Sequence, residues 1–362
     1  MRKLLVTGSG GIGGVNFIRS LRFAEIQCYE KFFIVGTEYN IHYIEFPDVD
    51  VRFTTPKHSD KNFIPTLMEL IKEYGLEFLH PHPSSEARVV SEKRNIFEEL
   101  NVRLYIPRPE DIMPSKFYVY GRLKSNKVPA PQTINVESMD DIDEAFREIG
   151  SPLWIRATTG AGGRLSLKVS SPEEAKLWVK LNVIQGRIKE NEFIIQEYLP
   201  GRDLAFDSLW FNGKLVTSYA RERLEYPLKH ISLTGITGTP SVAKIIYDDE
   251  VNTIGIAAVK ALNPNPHGFY SVDLKEDLAG KPKVTEVDGK WHTTSPLWGY
   301  AFAKVYDKPE YNIVYAYIQL GLDGKLKYEP ELTNLFPEGH YLIRQMDSGV
   351  ILKSVKGVWR II

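Results

Sequence analysis

One cysteine, Cys28, is all that the 362 residues contain. An internal disulfide framework and a multi-cysteine zinc site are thereby excluded, and a lone cysteine reads as packing. Long apolar runs are also missing: none reaches the roughly 18 to 20 residues of a membrane-spanning helix. Charge of one sign is absent as well. The 45 basic and 46 acidic residues leave a formal net charge of -1, so no overall field draws the protein to nucleic acid or to an anionic membrane. The N-terminal Met-Arg-Lys-Leu-Leu-Val reads as the start of a strand rather than a signal peptide, and the expected location is the cytoplasm. There are no repeats and no low-complexity tracts.

What is present is enough apolar sequence, 43% of the chain, to bury cores for two or three domains. From Lys3 to Ile106 strand-like and helix-like stretches alternate, with strands at 3–7, 32–36, 77–80 and 103–106, which predicts a parallel sheet covered on both faces. Pro107, Pro109 and Pro114 end the alternation and place a boundary near residue 113. Helices are expected over 116–126, 138–149 and 172–181, the last with Ser171 as cap and Pro172 at its first position. Beyond Phe193 longer strands take over, with a hairpin at Asn212-Gly213 and a terminal hairpin around Asp347-Ser-Gly349. The expected division is 1–113, 114–200 and 201–362.

Two glycine-rich segments compete for the functional reading. Thr7-Gly8-Ser-Gly10-Gly11-Ile-Gly13-Gly14 lies between a strand and a helix, where a dinucleotide-binding fold holds a pyrophosphate. Tyr120-Gly-Arg-Leu-Lys124 supplies the Tyr-x-x-x-Lys pair of short-chain dehydrogenases, and Glu38 follows the second strand where a ribose-binding acid belongs. An NAD(P)-dependent oxidoreductase is thus one reading. Against it, Tyr120 arrives just past the proline boundary, when such an enzyme would still be building its sheet.

The second segment runs Leu153-Trp-Ile-Arg156-Ala-Thr-Thr-Gly160-Ala-Gly162-Gly163-Arg164-Leu-Ser-Leu-Lys168-Val169. It is a strand carrying a cation, a small flexible loop, and another strand. It lacks the Gly-Lys-Ser/Thr ending of a P-loop, so it suggests a flap whose backbone N–H groups close over a polyphosphate. Farther on, Glu286 and Asp288 alternate across one residue, so both side chains project from one face of a strand. Carboxylates so placed repel unless a cation joins them, and Mg²⁺ bound to phosphates is the natural partner.

Ser115-Lys116, Arg156 before the flap, Gln196-Glu197-Tyr198-Leu199-Pro-Gly201-Arg-Asp203, Asp273 and Glu286-Val-Asp288-Gly-Lys290 occur in an order that resembles the ATP-grasp superfamily. The likeness is to its carbamoyl-phosphate-synthase-like group, with a single ATP-grasp unit. Val6 to Arg22 and Pro83-Ser-Ser-Glu86 are similar to that group's preceding α/β domain. The resemblance implies an α/β plus α+β chain: an N-terminal Rossmann-like domain followed by a two-lobed ATP-grasp fold. It also implies a site. Lys116, Arg156, Gly162 and Gly163 would meet the triphosphate, Glu197, Tyr198 and Leu199 the adenine, and Asp203 the ribose. Asp273, Glu286 and Asp288 would hold Mg²⁺ or Mn²⁺, with Arg156 and Lys290 stabilising the transferred phosphoryl group. Arg221, Arg223, His230 and His292 would shape the acceptor pocket. The family pattern Glu-x-Asn-x-Arg is altered here at Asp288 and Lys290, which keep oxygen ligation and charge but lose the guanidinium fork.

The expected function is ATP-dependent activation of a small carboxylate as an acylphosphate, which an amine or related nucleophile then attacks. No nucleic acid or membrane partner is expected, and a homodimer is left open. Besides the oxidoreductase, a non-catalytic ATP-binding regulatory protein is the remaining alternative, kept by the Asp288 and Lys290 departures.

Overall fold

The computed structural model describes residues 1–160, 162–163, 165–345, 351–354 and 357–360. The chain opens with β1 (Arg2–Thr7), α1 (Ile12–Gln27), β2 (Phe32–Glu38), β3 (Val51–Thr54), α2 (Phe63–Tyr74), β4 (Phe78–Pro81), α3 (Ser84–Glu92) and α4 (Arg94–Glu99). The four strands form a parallel sheet in the order β3-β2-β1-β4. Leu5 joins the core under α2 and α4, whereas Leu4 and Val6 join the core under α1, as the two-residue period of a strand buried on both faces requires. The stretch expected to be a strand at 103–106 is reduced to one bridge, Phe78 to Arg103. Its Tyr105 points into the core and donates its hydroxyl to the Trp210 carbonyl at 2.6 Å, and Pro107 deprives the sheet of a further N–H.

The middle of the chain gives α5 (Lys116–Ser125), β5 (Thr133–Val136), α6 (Met139–Glu148), β6 (Leu153–Ala157), β7 (Leu167–Val169), α7 (Pro172–Ile184) and β8 (Phe193–Glu197). Its antiparallel sheet runs β5-β8-β6-β7. Both covering helices start on sequence signals: Ser138 and Asp141 make a capping box on α6, and Ser171 accepts the Glu174 N–H at 3.2 Å on α7.

The rest supplies β9 (Asp203–Phe211), β10 (Lys214–Glu225), β11 (Val242–Ile246), α8 (Asp249–Leu262), β12 (Gly268–Glu276), β13 (Pro282–Asp288), α9 (Ser295–Tyr306), α10 (Ile313–Asp323), β14 (Tyr341–Ile343), β15 (Ile351–Ser354) and β16 (Gly357–Arg360). Six of these strands make an antiparallel sheet, β13-β12-β9-β10-β11-β14. The hairpin at Asn212-Gly213 is present, both residues having positive φ, 48° and 80°. The terminal hairpin is drawn differently from the expectation. Tyr341–Ile343 pairs with β11, the hairpin is β15 with β16, and Asp347 to Gly349 lie outside the described residues.

Sequence pattern did not reveal where α9 and α10 go. They pack back on α1, and every residue from Ile313 to Leu320 is buried, as befits a helix apolar all round. Phe17 and Leu21 of α1, Trp298 and Phe302 of α9, Tyr317 of α10 and Leu209 and Phe269 of the six-stranded sheet share one core. Residues 1–113 therefore complete their hydrophobic layer only with residues 295–323. No helix among the described residues is long and apolar enough to cross a membrane.

Candidate functional site

A cavity of about 950 Å³ is lined by residues at or beside strands of the three larger sheets. On one wall stands Glu286 of β13. Its Oε2 lies 3.2 Å from the Arg156 guanidinium and 3.4 Å from Lys116 Nζ, and its Oε1 is 3.3 Å from Lys290 Nζ. Burial works against the charge of Glu286, but Lys290 and Lys116 outweigh it and hold the carboxyl down at about 2. Burial lowers Lys116 and Arg156; Lys290 is raised, because Asp288 and Glu286 prevail over its burial. Three cations thus gather on Glu286, with Lys290 shared with Asp288 at 2.8 Å, a preassembled set of charge-assisted donors around one carboxylate.

Asp273 of β12 is the register partner of Glu286 across the β12–β13 ladder, which places the two acids side by side. Arg223 of β10 ion-pairs with Asp273 and, at 3.1 Å, with Asp203. Asp203 also accepts the Tyr226 hydroxyl at 2.8 Å. His292 Nε2 lies 3.0 Å from Asp273, and its Nδ1 lies 2.7 Å from Asp207, a fully buried acid that also pairs with Arg221. Burial pushes His292 down to about 4, against the upward pull of Asp273.

Farther along the cavity, the end of β8 brings Glu197, Tyr198 and Leu199 to the wall. Both Glu197 oxygens accept from Lys283 Nζ, at 2.6 and 2.8 Å. Lys168 Nζ sits 4.6 Å from the centre of the Tyr198 ring, which leans toward Trp154. The flap between β6 and β7 closes the cavity. Gly162 and Gly163, at φ 72° and 69°, face Gly238 and Ile236 of the 233–239 loop, and Lys116 Nζ donates to the Gly160 carbonyl at 2.7 Å.

Four expected site residues sit elsewhere than assigned. Asp288 does not line the cavity: its Oδ1 accepts the Met113 N–H at 2.8 Å, a backbone group turned inward by the positive φ of Met113, and its Oδ2 takes Lys290. Arg221 is fully buried behind Arg223, spent on Asp207, and pushed down to about 9 by its burial. His230 is exposed in a short turn at 229–231 and is no part of the wall. Lys116 reaches Glu286 from beneath rather than lining the cavity. Asp207, Lys283 and His82 were missed, because each is an ordinary polar residue in its own strand or loop and gains meaning only from a distant partner.

The oxidoreductase constellation is not assembled. Glu38 is consumed by the glycine turn itself, accepting from the N–H of Gly10 at 3.2 Å and of Asn40 at 3.1 Å. Tyr120 and Lys124 lie against each other on α5 and line no part of the cavity that Gly8, Gly11 and Gly13 border.

As to a metal, no three His, Cys, Asp or Glu side chains converge for one among the described residues. Asp273 and Glu286, both hard oxygen donors, are neighbours across the ladder. Mg²⁺ keeps several waters and takes phosphate oxygens, so two carboxylates fit its needs.

No protein-family model matches the chain. Two curated relatives do. The glutamate–LysW ligase ArgX of Sulfurisphaera tokodaii is 26% identical over 169 residues, 46% of this chain and 56% of the relative. The carbamoyl phosphate synthase large chain of Methanoculleus marisnigri is 26% identical over 187 residues, 49% of this chain and 17% of the relative. The chain thus spans little more than half of one and a sixth of the other. Among solved structures, the biotin carboxylase domain of 2-oxoglutarate carboxylase from Hydrogenobacter thermophilus, in complex with MgADP, superposes with a TM-score of 0.68. That match covers 94% of this chain and 73% of the other at 16% identity. The fold is ATP-grasp.

Proposed function

We propose that the protein is an ATP-dependent ligase that activates a small carboxylate for attack by an amine or related nucleophile. The observation that carries this reading is Glu286, held ionised by Lys116, Arg156 and Lys290 beneath a glycine flap and beside Asp273. Asp273 and Glu286 would hold Mg²⁺, which supplies charge neutralisation at the phosphate oxygens. Arg156 and Lys290 turn from Glu286 toward the transferred phosphoryl group, already oriented and shielded from water by the flap. Glu197 to Leu199 offer backbone groups and an apolar wall to a base, and Asp203 offers a carboxylate to ribose hydroxyls.

The γ-phosphoryl group passes to a carboxylate oxygen as ADP leaves; the nucleophile then forms its bond to the acyl carbon as phosphate departs. No side chain needs to become covalently attached. In this reading residues 114–200 act as the lobe that bears the lid and 201–362 as the lobe that bears the acids. The relatives support it: one is by name a glutamate ligase, and the structural neighbour was solved with MgADP.

The test is ADP release across a panel of carboxylic acids paired with amines. Turnover is expected to need Mg²⁺ and to fall at least a hundredfold in Glu286→Gln. Turnover that persists in EDTA removes the metal assignment. ATP binding with no ADP release under any pair favours the regulatory reading instead.

A further inference from the structure

The end of the cavity formed by the N-terminal α/β domain is chemically unlike the rest. Residues 1–113 contribute Gly8, Gly11, Gly13, His82, Pro83 and Ser84 to the wall, with no lysine, arginine or carboxylate among them. The only side chain there with a directed N–H is His82, and its direction is set from deep in the core.

Tyr317 of α10 is 1% exposed, and its hydroxyl has one hydrogen-bonding neighbour among the described residues, His80 Nδ1 at 3.1 Å. A buried hydroxyl that merely accepted there would strand its own hydrogen, so it donates. His80 Nδ1 is then an acceptor and His80 Nε2 carries the ring hydrogen. That hydrogen is given to His82 Nδ1, 3.1 Å away, which leaves His82 Nε2 as N–H. Burial keeps both rings neutral, with His82 pushed down to about 4. Phe17, stacked on His80 at 3.8 Å between ring centres, and Trp291 against its edge hold the relay in place. His82 Nε2 lies so close over Gly13 that a Cβ there would be 2.0 Å away. The first turn of α1 has no acidic residue and no side-chain cap, so its N–H groups add donors to the same wall.

We propose that this end of the cavity receives a hydrogen-bond-accepting group of the non-nucleotide substrate, a carboxylate or carbonyl, with His82 Nε2–H as its donor, and rejects an ammonium group. The donor is fixed by Tyr317 and His80 before any substrate arrives, so its selectivity is built into the free protein. An ammonium would meet N–H groups and no carboxylate of the wall, since Glu86, the buried acid beside Gly8, does not line the cavity. The inference rests on the ligase reading for the substrate's role, but not for the wiring.

The full chain, labelled with ¹⁵N-histidine, gives the decisive measurement. Two-bond ¹H–¹⁵N spectra without ligand are expected to show His82 as the Nε2–H tautomer, and Tyr317→Phe is expected to release it into a mixture. Acetate should shift the His82 Nε2 resonance, and methylammonium should leave it in place. A His82 Nδ1–H tautomer, a methylammonium shift, or no response to acetate overturns the proposal whether or not the protein is a ligase. In the ligase assay, His82→Leu is expected to raise KM for the non-nucleotide substrate about tenfold with KM for ATP within twofold. His82→Gln, which restores an N–H near the same place, should recover part of that loss. Equal changes in both KM values, or none, would count against it.

Discussion

The chain has two glycine-rich loops at one cavity, and they need glycine for opposite reasons. In the turn at 8–14 a Cβ at Gly10 would be 2.3 Å from the Tyr43 carbonyl oxygen, at Gly14 2.4 Å from the Gly8 carbonyl, and at Gly13 2.0 Å from His82. In the flap, a Cβ at Gly160 meets nothing within 4 Å and one at Gly162 only an ordinary contact at 3.8 Å. The first loop is glycine because the space is full. The second is glycine because the backbone adopts positive φ, 99° at Gly160, 72° at Gly162 and 69° at Gly163, with space left open at the first two and Ile236 3.2 Å from a Cβ at the third. Similar spelling therefore marks close packing in one case and left-handed backbone in the other.

The largest effect that would sharpen this contrast is Arg156→Ala. Loss of a preorganised cation under the flap should cost 10²- to 10³-fold in kcat, roughly 2.7–4 kcal/mol, with little change in the denaturant midpoint; a purely structural Arg156 would show the reverse. Next is Gly10→Ala, which overpacks the rigid turn and should cost about 1–3 kcal/mol of global stability by urea unfolding. Gly162→Ala should be gentler, about 1–2 kcal/mol of local strain, read as slower ADP release and altered hydrogen exchange in the flap with the midpoint almost unmoved. If the two alanines destabilise alike, the contrast fails.

The remaining effect is on pH. His82 and His267 are both lowered to about 4 from 6.5 by burial, so between those values the unfolded chain binds more protons than the folded one. Stability should decline as pH falls from about 6.5 to 4, with Glu86, raised by burial to about 7, contributing a smaller opposing slope up to that pH. Urea midpoints at pH 7.5, 5.5 and 4.5 check the sign, and His82→Gln should flatten the slope.

The strand–flap–strand order, the Arg156 cation and the Glu286 acid were legible because each is a local pattern: a polar residue in an apolar strand, glycines at a tip, acids two apart. Asp288 misled for the same reason. The two-residue spacing is real, but a backbone N–H at Met113, 175 residues away in sequence, claims its carboxylate. His80 reads as the end of a strand with His82 two residues beyond it, and nothing nearby points to Tyr317. Likewise the amphipathy of α1 says that it is covered, not that helices near residue 300 cover it. Long-range partners leave no mark on local periodicity, and the site's finest features are all of that kind.

The core that α1 shares with α9 and α10 also has a consequence for synthesis. During translation, the first hundred residues leave the ribosome with Phe17, Leu21 and the lower face of β1 lacking their cover, and that cover is encoded some 280 residues later. The N-terminal sheet does not complete its packing as an independent vectorial unit; it waits, sticky on one side, for α9 and α10. Ribosome pausing before residue 323, or truncation there, would leave nascent chains for chaperones to hold.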